Sequence, residues 1–205
     1  MSLYPFNPRK LTGMQSDAGV VIDRAHLAHY SPGALAAIDD DYFVANVAMK
    51  VGAYTIVTGH GATPNSAARN VVAFVTKVSG TLDTMGTLLV TGKNLAGATI
   101  TETITPAEGA VSGVKAFASI TSIVGAGWVR DAGAGSEDTV KIGYGDVVGL
   151  PDMLSHNTVL AAYLGGTKES TAPTVVVDAD ELEKNTFDLF GALNASAVDI
   201  YYLVG

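Results

Sequence analysis

The chain has 205 residues, of which 48% are hydrophobic and 16% are charged, and it carries a formal net charge of −8 with no cysteine. The lack of cysteine excludes disulfides, thiolate catalysis and cysteine-ligated metals, and the acidic balance with singly scattered basic residues argues against a nucleic-acid partner. No apolar run approaches the roughly 18 residues that span a bilayer, and prolines and charges interrupt the first ten residues where a signal peptide would need an apolar core. We therefore expect no membrane partner and synthesis in a cytoplasm.

Residues 1–17 show neither helical nor strand periodicity, and Pro5 and Pro8 favour extended backbone. We interpret them as an arm whose apolar and basic side chains contact a protein partner, namely Leu3, Tyr4, Pro5, Phe6, Pro8 and Arg9. Residues 1–38 are predicted to be this extended N-terminal arm with a lead-in segment. Within it, residues 19–23 suggest a short strand. Residues 31–38 suggest either a helix of at most two turns, capped by Ser31 with Pro32 at its first position, or a small-residue loop.

From residue 42 onward, short segments rich in valine, isoleucine and threonine alternate with glycine, which is typical of short strands joined by turns. Residues 99–105 give the clearest pattern, because Ile100, Glu102 and Ile104 share one face and four threonines share the other. Roughly ten to twelve strands follow from such patterns, at residues 42–50, 54–59, 69–78, 87–92, 99–105, 115–123, 139–144, 147–151, 159–164, 174–177 and 198–204. The prediction is an all-β, antiparallel β-sandwich or jelly-roll-like domain over residues 39–205.

Two residue pairs suggest chemistry by their spacing. Ser112 and Lys115 have the spacing of a serine–lysine dyad, which requires one helical turn, but they lead into a predicted strand where residues three apart point to opposite faces. His26 and His29 match a helical zinc pair, but no third ligand stands at a recognisable spacing. We expect neither a catalytic nor a metal role for these residues.

The acidic and glycine-rich segments also have simple structural explanations. Residues 178–183 resemble part of a calcium loop but lack glycine at the sixth position and glutamate at the twelfth, where Leu189 stands. These residues, and Asp39, Asp40 and Asp41, are interpreted as charged turns. Residues 143–149 are interpreted as a turn between two strands, and Trp128 as a core residue. We therefore predict a protein without catalytic, cofactor-binding or metal-binding residues, and not an enzyme.

Five segments, taken in order and spacing, resemble a group of tailed-bacteriophage proteins that decorate or cement the capsid. They are residues 39–47, residues 64–71 with Pro64 followed by Arg69, Asn70 and Val71, residues 89–104 with a Thr-Gly strand end and an Ile-Thr-Glu strand, residues 113–123, and residues 142–151. The resemblance covers roughly residues 39–151, with a looser similarity at residues 200–202. Residues 1–38 match no family that we can name.

The resemblance implies a virion structural protein that binds the outer surface of the major capsid protein lattice and stabilises the assembled shell. Such proteins commonly sit on capsid hexamers as homotrimers, have no active site and need no cofactor. The alternative is another phage virion component, such as a tail-tube, baseplate or fibre protein. An extracellular carbohydrate-binding or enzymatic sandwich is a third hypothesis. A carbohydrate-binding protein normally presents several aromatic side chains, whereas this chain has one tryptophan and 7% aromatic residues.

Overall fold

The computed structural model describes residues 14–15, 21–22, 25–57, 67–78, 83–131 and 136–205. These ranges contain sixteen strands and one single-turn 3-10 helix, η1 (Leu182–Lys184). The strands are β1 (Met14–Gln15), β2 (Val21–Ile22), β3 (His26–Leu35), β4 (Asp39–Ala48), β5 (Gly52–Ala53), β6 (Arg69–Thr76), β7 (Thr87–Lys93), β8 (Thr99–Ile104), β9 (Gly109–Phe117), β10 (Ser119–Ala126), β11 (Thr139–Gly149), β12 (Val159–Leu164), β13 (Thr167–Lys168), β14 (Thr174–Val176), β15 (Thr186–Asp188) and β16 (Ser196–Val204). The predicted all-β, sandwich-like fold is confirmed. No helix in these ranges has the length and apolar character to cross a bilayer.

All pairs of named strands are antiparallel, and they form three sheets besides the β1–β2 hairpin. The central sheet has the order β14-β15-β11-β6-β9, with β4 also paired to β11. The flanking sheet has the order β5-β10-β7-β8, and the terminal sheet has the order β13-β12-β16-β3.

Two hydrophobic clusters hold the sheets together. The first lies between the central and flanking sheets and includes Phe43, Val90, Phe117 and Ile142. The second lies where the terminal sheet meets the far end of β11 and β15, and it includes Leu35, Val148, Phe187, Ile200 and Tyr202. Burial alternates along β8, where Ile100 and Ile104 are buried and the threonines are exposed, as period-two side-chain geometry requires.

Strand β11 contributes to both clusters, and this corrects the predicted turn at residues 143–149. The two short strands predicted at residues 139–144 and 147–151 are one eleven-residue strand, whose register with β6 shifts between Tyr144 and Val148. Its glycines serve close packing, because a Cβ on Gly143 would collide with the backbone carbonyl of Asp39 and a Cβ on Gly145 with the side chain of Asn70. Glycine inside a strand pattern therefore marks a bulge and close neighbours here, not a chain reversal.

The helix predicted as one alternative for residues 31–38 is wrong, and the loop predicted as the other is limited to residues 36–38. Residues 31–35 complete strand β3, which pairs with the C-terminal strand β16 from Leu35↔Ser196 to His26↔Val204. The register shifts between Val198 and Ile200, and Gly33 has a positive φ of 90°, so a bulge accommodates the proline and glycine that suggested a helix start or a loop. The boundary predicted at residue 38 stays a prediction, but β3 lies in the predicted lead-in segment and is a full member of the terminal sheet.

Two other boundaries differ from the prediction. Asp39, Asp40 and Asp41 are not a turn but the first residues of β4, and Asp39 is the Cα partner of Tyr144 on β11. Residues 54–57 of the strand predicted at residues 54–59 are not in a strand, and the two-residue β5 (Gly52–Ala53) lies just before them. Residues 58 and 59 lie outside the described ranges.

Candidate interaction surface

The terminal sheet has one face on the second hydrophobic cluster and one face toward solvent. Ala28 and Tyr30 of β3 and Val198, Ile200 and Tyr202 of β16 belong to or pack against that cluster. Residues of the opposite parity therefore point outward, and cross-strand partners share a face. The resulting outer face includes Leu27, His29 and Ser31 of β3, Asp199, Tyr201 and Leu203 of β16, Ala161 and Tyr163 of β12, and Lys168 of β13.

Three aromatic rings from three neighbouring strands meet on the outer face. His29 stacks on Tyr201 with ring centroids 4.4 Å apart and planes 5° from parallel. Tyr163 contacts Tyr201 edge to face at 5.8 Å. Each arrangement is a favoured aromatic geometry, and each joins residues on adjacent strands. The rings therefore form a preorganised cluster on a hydrogen-bonded sheet.

A polar pair lies beside the aromatic cluster. His29 Nε2 and Asp199 Oδ1 are 2.8 Å apart, and both side chains remain partly exposed. Hydrogen bonds from Ser31 and His29 hold the pKa of Asp199 below its ordinary value. The imidazole of His29 is thus fixed by the carboxylate of Asp199 on one side and by the ring of Tyr201 on the other.

The surface ends at a free strand edge and a groove. Within the described residues, β3 pairs only with β16, so its other edge carries no partner strand. On the opposite side of the sheet, β13 pairs with β12 only at Tyr163 and Leu164. A groove of about 220 Å³ lies there between residues 159–162 and residues 168–173, and Leu160 beside it is 58% exposed.

A second polar cluster, the Lys115 network, lies where β9 meets η1. Lys115 Nζ is 2.5 Å from Glu181 Oε2 and 3.1 Å from Glu183 Oε1, and Asn94 donates to Glu183 Oε2 at 3.1 Å. Lys184 donates to Glu181 Oε1 at 2.5 Å. The solvated turn predicted at residues 178–183 is therefore partly wrong, because Glu183 is only 7% exposed and ion-paired.

The same network contains the lysine of the Ser112–Lys115 spacing noted in the sequence. The ammonium group of Lys115 is engaged by the two glutamates, and Ser112 is exposed at the rim of a cleft of about 320 Å³ on the central sheet. Ile38, Phe74 and Asp146 also line that cleft. The arrangement serves to fix η1 against β9.

The Lys115 network predicts acid-sensitive stability. Hydrogen bonds from Lys115 and Lys184 lower the pKa of Glu181, and the backbone amides of Asp180 and Glu181 lower that of Asp178. Carboxyl groups with lowered folded-state pKa values stabilise the fold above their unfolded pKa values of about 4, and this contribution is lost as the pH falls through the folded values. We expect Lys115→Met to lower the urea midpoint at pH 7 and to have a smaller effect at pH 3. Lys77→Met, at an exposed position, is the control, and equal effects of Lys115→Met at both pH values would contradict the account.

Of the other residues singled out in the sequence, those that the structure describes lie apart from the outer face. The six predicted arm contacts, Leu3, Tyr4, Pro5, Phe6, Pro8 and Arg9, lie outside the described residues. One oxygen from each of Asp39, Asp40 and Asp41 falls within 4.8 Å of the others, and Lys141 Nζ is 3.4 Å from Asp40. Trp128 is half-buried against the first cluster.

Sequence reasoning missed the aromatic cluster, because His29, Tyr163 and Tyr201 are far apart in the chain. The available signal was the alternation in residues 198–204, which places Tyr201 on the other face of the strand from the buried Ile200 and Tyr202.

Comparison of the chain with protein-family models, with curated proteins and with solved structures finds no match. The outer face therefore has to be interpreted from its own chemistry.

Proposed function

We propose that the chain is a virion structural protein that decorates the outside of an assembled bacteriophage capsid and stabilises the lattice of its major capsid protein. The outer face of the terminal sheet is the observation that carries the proposal. It presents tyrosine and histidine rings and aliphatic side chains on paired strands. Aromatic residues are enriched in protein–protein interfaces, and rings that are already ordered lose little conformational entropy on binding. This chemistry suits a protein partner in a repetitive assembly.

The remaining features support the same role. A net charge of −8 suits the outside of a shell, away from packaged DNA and opposed to non-specific adhesion. Residues 1–17, the proposed arm, carry the predicted lattice contacts, and an extended segment that orders on binding covers a large surface. Strand addition to a sheet edge of a neighbour is one way for such a segment to dock. The proposed assembly unit is a homotrimer, in line with the resemblance to decoration proteins.

Stabilisation follows from mass action. A protein that binds only the assembled lattice stabilises that state by its binding free energy. Because a shell carries many copies, modest contacts add up to substantial reinforcement. The proposed mechanism uses no bond-making step and no cofactor.

Removal of residues 1–17 is expected to weaken binding to capsids and to leave the β domain folded. The test mixes purified protein with empty, expanded phage capsids that lack it, and measures the bound fraction by co-sedimentation. Circular dichroism of the truncated chain checks the fold. If the truncated chain sediments with capsids as well as the full chain does, the arm is not the lattice contact.

A further inference from the structure

Lys168, Tyr163 and Asp199 form a single row across the outer face. Tyr163 of β12 is the Cα partner of Lys168 on β13 and of Asp199 on β16. The three side chains therefore lie on the same face of the sheet. Neighbouring strands are about 4.8 Å apart, so the Cα atoms of Lys168 and Asp199 are about 10 Å apart, with that of Tyr163 midway.

The net charge of the outer face is formally zero, although the chain as a whole carries −8. Among the residues named on this face, Asp199 is the acid and Lys168 the base, and Asp199 is also bonded to the imidazole of His29. Two copies of a strongly acidic chain repel each other. The repulsion is smallest where each copy presents a neutral surface to the other.

A row ordered positive, aromatic, negative is complementary to itself under a twofold rotation. In an interface of this symmetry each surface meets its own copy, so an unbalanced charge would oppose itself. A twofold axis that lies in the interface, parallel to β12 and above Tyr163, exchanges the two sides of the row. It brings Lys168 of each copy to Asp199 of the other, and the two Tyr163 rings meet at the axis.

We propose that two copies of this chain pair face to face through the outer face, about a twofold axis along β12. The proposal rests on the proposed function in that both treat this face as a protein-binding surface, and it names the partner as a second copy of the same chain. The same rotation carries Tyr201 of each copy toward residues 168–173 of the other, which line the groove beside β12. The pairing joins two copies as a dimer or joins two homotrimers, so it requires an even number of copies.

The test is a charge exchange on the full chain, read as molar mass by light scattering at a fixed protein concentration. We expect the unchanged chain to be an even-numbered oligomer. Lys168→Glu and Asp199→Lys each place like charges opposite one another twice per interface, so each is expected to halve the mass. The double variant restores opposite charges in exchanged positions and is expected to restore the mass. Lys93→Glu, an equal charge change on the flanking sheet, is the control and is expected to keep it.

The proposal is overturned if the unchanged chain is a monomer or an isolated trimer, or if Lys168→Glu keeps the mass of the unchanged chain. Because Asp199→Lys also removes the bond to His29, Lys168→Glu is the decisive single variant, and circular dichroism checks that each variant is folded. Capsid binding is measured separately. If the chain is a monomer and still coats capsids, the pairing is overturned and the decoration role stands. If the chain is paired and leaves capsids bare, the decoration role is overturned and the pairing stands.

Discussion

Replacement of Arg69 by alanine is expected to lower the free energy of unfolding by about 4 kcal/mol, within the range of large truncations at buried sites. Arg69 is fully buried, and its Cα partners are Phe117 of the first hydrophobic cluster and Val148 of the second. Its Nη1 donates to the carbonyl of Ala36 at 3.2 Å, its Nη2 donates to the carbonyl of Gly145, and the guanidinium lies 4.8 Å from the centre of the Tyr144 ring. The substitution opens a cavity and removes these donors from the buried carbonyl of Gly145 and the part-buried carbonyl of Ala36, and an unsatisfied buried acceptor costs about 1–3 kcal/mol.

The charge of Arg69 is part of this role. Burial lowers the pKa of Arg69 to about 10, although the nearby Tyr144, Asp146 and Asp188 act in the opposite direction. The side chain is therefore protonated at neutral pH, and its charge is held by two carbonyl dipoles and an aromatic face. These partners link the end of β3 to the bulge of β11.

Two further variants separate packing from hydrogen bonding at Arg69. Arg69→Met keeps much of the volume and removes the donors, so we expect a loss of about 2 kcal/mol, the cost of unsatisfied carbonyls. Arg130→Ala is the control, because Arg130 is exposed and its ion pair with Glu137 lies at the surface, where such pairs contribute little to stability. Urea unfolding measures all three. A loss below 1 kcal/mol for Arg69→Ala would contradict a joining role for this residue.

Asp138→Ala is expected to cost about 3 kcal/mol, because it removes two hydrogen bonds from backbone amides to a buried carboxylate. Asp138 is fully buried, and its Oδ1 and Oδ2 accept from the amides of Val78 and Asp83, each at 2.9 Å. The contact is reciprocal, because Asp83 Oδ2 accepts a hydrogen bond from the amide of Asp138 at 2.8 Å. Asp83 Oδ1 accepts another from the amide of Asp131 at 2.8 Å. The two carboxylates thus tie the chain after β6 to the chain before β11.

The reciprocal bonds predict strong coupling between Asp83 and Asp138. The double variant Asp83→Ala with Asp138→Ala is expected to cost less than the sum of the two single variants, by about 1 kcal/mol or more, since both lose the same clamp. Asp138→Asn keeps one acceptor oxygen and is expected to fall between Asp138→Ala and the unchanged chain. Additive costs in the double-mutant cycle, measured by urea unfolding, would show that the two residues act independently.

The fold class follows from the sequence because short segments rich in valine, isoleucine and threonine alternate with glycine, and the best of them have a clear two-residue period. In residues 99–105 the alternation of isoleucine and threonine predicts the buried and exposed faces of β8 correctly. The prediction fails where glycine, proline or aspartate lies inside a strand. Pro32 and Gly33 lie at a bulge of β3, Gly143 and Gly145 make room for neighbouring atoms in β11, and Asp39 begins β4 instead of a turn. Local sequence does not distinguish a turn from a bulge when the partner strand decides which one forms.

The outer face is harder to predict for a different reason. Its aromatic cluster depends on the register of β3, β16 and β12, and strand order is a tertiary property that one sequence does not specify. The spacing of His26 and His29 matches a helical zinc pair, but in strand β3 the imidazole of His29 contacts Asp199 and Tyr201 instead. The Lys115 network was missed for the same reason, because Lys115 and Glu183 are distant in sequence.

Whether the protein decorates the capsid exterior is tested most directly by electron microscopy. Purified full chain is mixed with empty, expanded phage capsids, and the shells are imaged. Capsid decoration predicts regular added density on the outside of the hexamers, and none when the chain is omitted. Bare shells, with the protein forming rings or tubes by itself, would contradict capsid decoration and would assign the chain to another component of the virion.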